Sequence, residues 1–342
     1  MLNAIARPLL FVATLLLAVG TSCSSTDERD PEELFTLYRE SAFYYWQAED
    51  FVRAEAQLNR ALEIHDDDLS CNLIMGNIEL LKGKTPDLLS AEKRFRSLEQ
   101  QDDYRVQLGL AQALERLGMA YEDAAIAIAK GDRKTQAPDP AARVDELRKM
   151  SATAWTQSIA SYQKVLSTKT NLADAINGMQ RVLALQGDIE GALVWTNRLI
   201  DSVEVDLTYY RSRLERTDIT AAEEANIRTR MENSNSLGQQ TYLFGASLLH
   251  ELNRPEAELE YLTRAIEIQP DSPKTWSRRA QAEMSLNLYV EAQHSLDQFL
   301  SLSQDPFESP DVQRAYELRE KCERALQDAA LEASLRDLGA GY

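Results

Sequence analysis

The feature that most constrains this chain is a helical apolar pattern that returns at a fixed interval. Asp50-Phe51-Val52-Arg53-Ala54-Glu55 leads into Leu58, Ala61 and Leu62, and Asn287-Leu288-Tyr289-Val290-Glu291-Ala292 leads into Leu296, Phe299 and Leu300. In both stretches a small residue is followed by apolar ones after four, three and one positions, the spacing of one helix face. Each also has a small residue upstream in a preceding helix, Ala42 before Ala54 and Ala280 before Ala292. Ala246 to Ala280 is 34 residues, and so is Ala265 to Phe299. After residue 31 no strand-type alternation interrupts the helical period. One pair of short amphipathic helices cannot shield its apolar side by itself. Stacked neighbours can, so such a chain needs at least about three units and capped ends.

Composition agrees. The 342 residues are 44% hydrophobic and 27% charged, enough apolar material for a packed core. With only 13 Gly and 10 Pro, a turn-rich all-β fold is disfavoured. The formal charge of −18, from 37 basic against 55 acidic residues, repels phosphate backbones and argues against a nucleic-acid partner.

The repeated helix–turn–helix resembles the tetratricopeptide repeat (TPR), a unit of 34 residues in which small residues mark the helix crossing. Trp276, Ala280, Ala292, Leu296 and Phe299 carry the match, as do Tyr38, Ala42, Tyr45, Ala54, Leu58 and Ala61. The clearest units lie at about 35–68, 239–272 and 273–306, with further ones at about 69–103 and 173–206. The resemblance implies an all-α, right-handed superhelical solenoid of helix pairs. Its boundaries would be an N-terminal array over 32–206, an inserted segment over 207–238, a C-terminal pair over 239–306 and a capping helix over 310–338.

Two stretches depart from the plain repeat. Around 104–170 the first helix runs from Leu108 through Ile128, and after a polar break the second continues from Val144 to Leu166. Both exceed the repeat length, which predicts an overlong pair. Around 203–252 a second excess occurs, with Thr220 and Glu223 spaced as a capping box.

No catalytic signature stands out. His65-Asp66-Asp67-Asp68 could suggest a cation site but reads as a solvated acidic turn between repeats, His250 and His294 have no neighbouring acid–nucleophile set, and GxSxG, HExxH, paired-cysteine and Gly-rich phosphate motifs are missing from the sequence. No catalytic, cofactor or metal residue is therefore assigned, and the chain is read as a non-enzyme. Trp155, Trp195 and Trp276 sit on apolar stripes and are expected in the core. Thr36, Arg39, Phe43 and Trp46 fall on a second stripe of the first helix. In TPR proteins the corresponding stripes line a concave groove for peptides. By that resemblance Asn77, Arg105, Gln112, Asn177 and Arg181, with Ser277 and Gln281, would join Arg39, Phe43 and Trp46 in holding a protein partner.

The N-terminus reads as an address. Residues 1–22 hold no acid, one base (Arg7) and an apolar run from Leu9 to Gly20, too short to span a bilayer but suited to a signal peptide. The segment is similar to a bacterial lipoprotein signal, which makes Cys23 the lipid-attachment residue and residues 23–31 a flexible tether. Gly20 stands where that signal usually has Leu, Val or Ile, so cleavage by an ordinary signal peptidase stays open. These readings converge on an exported, membrane-anchored scaffold of the bacterial cell envelope, on the periplasmic face of the outer membrane in a didermal host. Two alternatives stand beside it: an envelope enzyme or ligand carrier with a pocket between the inserted helices, and a cytoplasmic repeat protein held by an uncleaved anchor.

Overall fold

The computed structural model describes residues 30–339 apart from 136, 138 and 217, with backbone alone over 335–339. The signal segment, Cys23 and nearly all of the tether lie outside the described residues. Every regular element among those described is a helix, thirteen in all. Among them none is long and apolar enough to cross a membrane. The chain divides into two compact units between Leu81 and Lys82.

The first unit holds α1 (Pro31–Gln47), α2 (Phe51–Leu62) and α3 (Leu69–Lys82). Asp30 caps α1 by accepting from the Glu32 amide, and Asp50 caps α2 by accepting from the Arg53 amide. Ala42 and Ala54 are both fully buried, as expected of residues at a helix crossing. Leu58, Cys71, Met75 and Ile78 complete this core, and Tyr38, Tyr45 and Phe51 close its edge.

The second unit runs through α4 (Thr85–Ser97), α5 (Tyr104–Lys130), α6 (Pro140–Thr168), α7 (Ala173–Leu185), α8 (Ile189–Leu214), α9 (Ala221–Glu251), α10 (Pro255–Ile268), α11 (Pro273–Ser285), α12 (Tyr289–Leu302) and α13 (Pro310–Gly339). The two overlong segments are both present. Helices α5 and α6 have 27 and 29 residues, α8 and α9 have 26 and 31, whereas α7, α10, α11 and α12 have 13 or 14. At ~1.5 Å per residue the long helices reach about 40–45 Å, twice the length of a plain repeat helix. Their pairing is intimate: Ser151 and Ser158 of α6 each donate a hydroxyl proton to a backbone carbonyl of α5, those of Gly118 and Ala111, both at 2.8 Å. Trp155 is buried against the same seam, while Trp195 and Trp276 are half-buried at the edges of their clusters. At the end, Val312, Ala315 and Cys322 of α13 pack onto the α11–α12 core as a cap.

The turn inside a helix pair is the same object four times. Glu49, Gly187, Asn253 and Asn287 all have left-handed backbone, with φ of 58°, 82°, 53° and 60°. The next amide donates back to the carbonyl five residues earlier: Asp50 to Tyr45, Asp188 to Leu183, Arg254 to Leu249 and Leu288 to Glu283, all at 2.9 Å. This is the Schellman closure, which satisfies helix carbonyls that would otherwise be orphaned. Glycine fits it without steric cost, asparagine tolerates it, and glutamate is strained.

Two substitutions therefore have opposite signs. Gly187→Ala has open space for its methyl group but the wrong backbone, and is expected to lower stability by about 1 kcal/mol. Glu49→Gly should raise it by about 0.5–1 kcal/mol. Urea midpoints of the two variants against the wild type check both.

Candidate interaction surfaces

On α1, Phe43 and Tyr44 are the exposed aromatic residues. Phe43 is 51% accessible and Tyr44 39%. Thr36 of the same stripe is also exposed, whereas Trp46 and Arg39 are tied inward. Trp46 packs its ring on Phe51 of α2 with centroids 5.3 Å apart, and the Arg39 guanidinium lies over the Phe35 ring at 5.2 Å. Phe43 thus stands out on a face where Trp46 holds α1 to α2. Tyr44, not singled out from the sequence, adds to it, and its contact with Tyr45 in a T-shaped pair fixes its direction. Asn77 lies half-buried on α3, most of whose side chains are buried.

In the second unit the sequence-derived residues fall into two environments. Arg105 is exposed but bonded to the carboxylate of Asp103, the residue that caps α5, with contacts of 2.6–3.1 Å. That bond holds the Asp103 carboxyl below the usual carboxylate range. Gln112, Asn177 and Arg181 are half-buried on α5 and α7. Asn177 accepts a hydrogen bond from Gln180 at 2.7 Å. Arg181 donates to both oxygens of Glu115 at 2.7 and 3.1 Å, and Glu115 also accepts the Tyr162 hydroxyl at 2.6 Å.

This triad is internal chemistry. The Glu115 side chain is 5% exposed and Tyr162 is fully buried. A buried carboxylate without a partner is costly, so Arg181 is required where it stands. Tyr162 is seated by Gly178, where an added methyl group would come within 2.1 Å of its ring. Burial, and then the negative charge of Glu115, push the Tyr162 hydroxyl well above the ordinary phenol range. Arg105 and Arg181, read as ligand contacts, are both occupied by carboxylates of the chain itself. The signal that sequence reasoning lacked was Glu115, which lies 66 residues from its partner.

A polar cleft of ≈ 230 Å³ lies among α8, α9 and α10, lined by Asn197, Asp201, Glu204, Tyr242, Tyr261 and Arg264. Its hydroxyls are committed: Tyr242 donates to Glu204 at 2.6 Å, and Tyr261 to Asn197. Burial raises both tyrosines above their usual range.

A helix–turn–helix repeat protein is the class these observations define. Residues 240–272, spanning the end of α9 and α10, match the tetratricopeptide repeat family. No curated protein sequence matches the chain. Among solved structures, a thermophilic TPR protein from Thermus thermophilus is 14% identical, with 75% of this chain and 100% of that one covered at a TM-score of 0.41. The pilF protein of Pseudomonas aeruginosa is 13% identical over 92% of this chain and 96% of that one, with a TM-score of 0.38. YrrB, described as a TPR protein with an unusual peptide-binding site, is 16% identical over 59% and 89%, with a TM-score of 0.34.

Arg181→Ala strands the Glu115 charge and is expected to cost about 2–4 kcal/mol, below the fully buried case because the guanidinium is partly solvated. Tyr162→Phe removes one hydrogen bond while Arg181 still serves Glu115, and should cost about 1–2 kcal/mol. Denaturant unfolding of both variants tests the order.

The raised groups also set an alkaline limit. Tyr162, Tyr242 and Tyr261 all hold their protons more tightly when folded, and burial pushes the Cys71 thiol up to about 12. The unfolded chain releases these protons first as pH rises. The contribution of these four groups to stability should stay flat below about pH 8.5 and fall above the unfolded thiol and phenol values near pH 9–10. Tyr162→Phe should flatten the slope above pH 10 by up to about 1.4 kcal/mol per pH unit, as measured by urea titrations at stepped pH.

Proposed function

We propose that this protein is an exported, lipid-anchored scaffold of the bacterial cell envelope that binds protein partners and performs no chemistry of its own. The observation that carries the reading is Phe43, a large aromatic left half in solvent on α1 while its neighbours Trp46 and Arg39 are packed inward. An exposed aromatic beside Tyr44 on a rigid helix provides anchor area at little entropic cost, as binding hot spots do. The match of residues 240–272 to the tetratricopeptide repeat supports the same reading, since stacked helix pairs present extended binding surfaces.

The address rests on the sequence. The apolar run from Leu9 to Gly20, Cys23 and the polar stretch after it support export and a lipid on the cysteine. Acyl chains there, at ~0.8 kcal/mol per buried methylene, would hold the folded units at a membrane surface.

Two measurements test this. Mass spectrometry of the mature N-terminus is expected to find acylated Cys23 as the first residue; an intact Met1 with unmodified Cys23 rejects the anchor. Affinity purification from membranes should recover a partner whose yield falls about tenfold with Phe43→Ala, the change that spares the α1–α2 packing. Undiminished recovery removes α1 from the binding surface.

A further inference from the structure

The overlong α5–α6 pair creates a cleft that ordinary repeat helices would not leave. Helix α4 has 13 residues and lies beside α6, which has 29. The two are tied at one end, where Arg96 donates to Gln157 at 3.0 Å and Lys164 pairs with Glu99 at 3.6 Å. At the other end α4 begins only at Thr85, while α6 and the connection at Arg133, Lys134 and Thr135 extend past it. Two neighbouring clefts open along this side. One, of ≈ 370 Å³, has Leu89, Leu114, Leu117 and Met150 in its walls. The next, of ≈ 830 Å³, lies over Ala124, Ile128 and Leu147. Tyr121 and Glu146 line both, so the two share a wall. The larger falls within the size of ligand-binding clefts, about 300–1,000 Å³.

Charge singles this cleft out. The chain has 55 acidic against 37 basic residues, yet the cleft walls carry Arg133, Lys134, Arg143 and Lys149 against Glu92 and Glu146. Both carboxylates are already engaged, Glu92 with Arg96 at 2.7 Å and Glu146 with Arg143 at 2.5 Å. Arg133, Lys134 and Lys149 form no ion pair with any described residue. Three uncommitted cations therefore surround an apolar floor on an acidic protein.

We propose that this cleft seats a segment of a partner protein that is acidic and carries apolar side chains. The cations choose a negative ligand, and the apolar floor rewards side chains that a nucleic-acid backbone lacks. The recess also disfavours a flat lipid surface, which cannot reach the floor. This site is independent of the α1 face and does not rest on it.

Selection of a random-peptide display library on the full chain tests the proposal. Arg133→Glu with Lys134→Glu lies on an exposed connection and serves as the counter-target, its helical content checked by circular dichroism. The expected result is enrichment of peptides combining Asp or Glu with Leu, Ile or Phe, which bind the double variant about tenfold more weakly and lose affinity as salt rises. Leu89→Glu, at the other mouth of the cleft, should weaken the same peptides, whereas Phe43→Ala should leave them unchanged. Enriched peptides that are basic or neutral, that bind the double variant equally, or no enrichment at all would overturn it. So would binding to phosphatidylglycerol vesicles, and not to peptides, that the double variant abolishes.

Discussion

Everything in this structure depends on helices crossing close enough to shield one another's apolar sides. The approach is set where side chains are smallest. Ala42 meets the α2 side of its pair at Ala54, and Ala280 and Ala292 do the same near the C-terminus, all four without measurable exposure. A larger residue at any of them would push the pair apart and open gaps along the length of both helices, which a close-packed interior does not tolerate. Around these contacts the bulky residues fall into place: Leu58 and Ile78 in the first unit, Leu296 and Phe299 in the last helix pair. Capping and turn chemistry then decide where each helix stops, so that the crossing points stay in register.

Much of this was legible in the residues themselves. The 34-residue spacing between Ala246 and Ala280 located the helix pairs because a small residue in a helix seam has no substitute. The all-helical fold, the two excess-length segments and the C-terminal cap followed from apolar period and length alone. Thr220, expected to open a helix, does so, with its hydroxyl accepting from the Glu223 amide.

The binding residues were harder to read, and the reason is physical. A helical period says which face a residue lies on, but not what reaches across from another helix. Arg181 has the composition of a ligand contact and is taken by Glu115 from α5. Trp46 has that of an exposed aromatic and rests on Phe51. The α4–α6 cleft was equally hidden, because it arises from a mismatch between helices of 13 and 29 residues and from which cations are left without a carboxylate. Neither quantity exists until the helices are placed side by side.

The Glu115–Arg181 bond has a consequence for how the protein breathes. In a row of helix pairs most contacts join neighbours in sequence, so the ends of the row can fray independently of its middle. Here an ion pair spans α6 by joining α5 to α7, with the Tyr162 hydroxyl from α6 locked into it. Opening α6 alone would bring water to a charge that three helices now keep dry. The bond thus ties these three helices together, so that opening any one of them disturbs the other two.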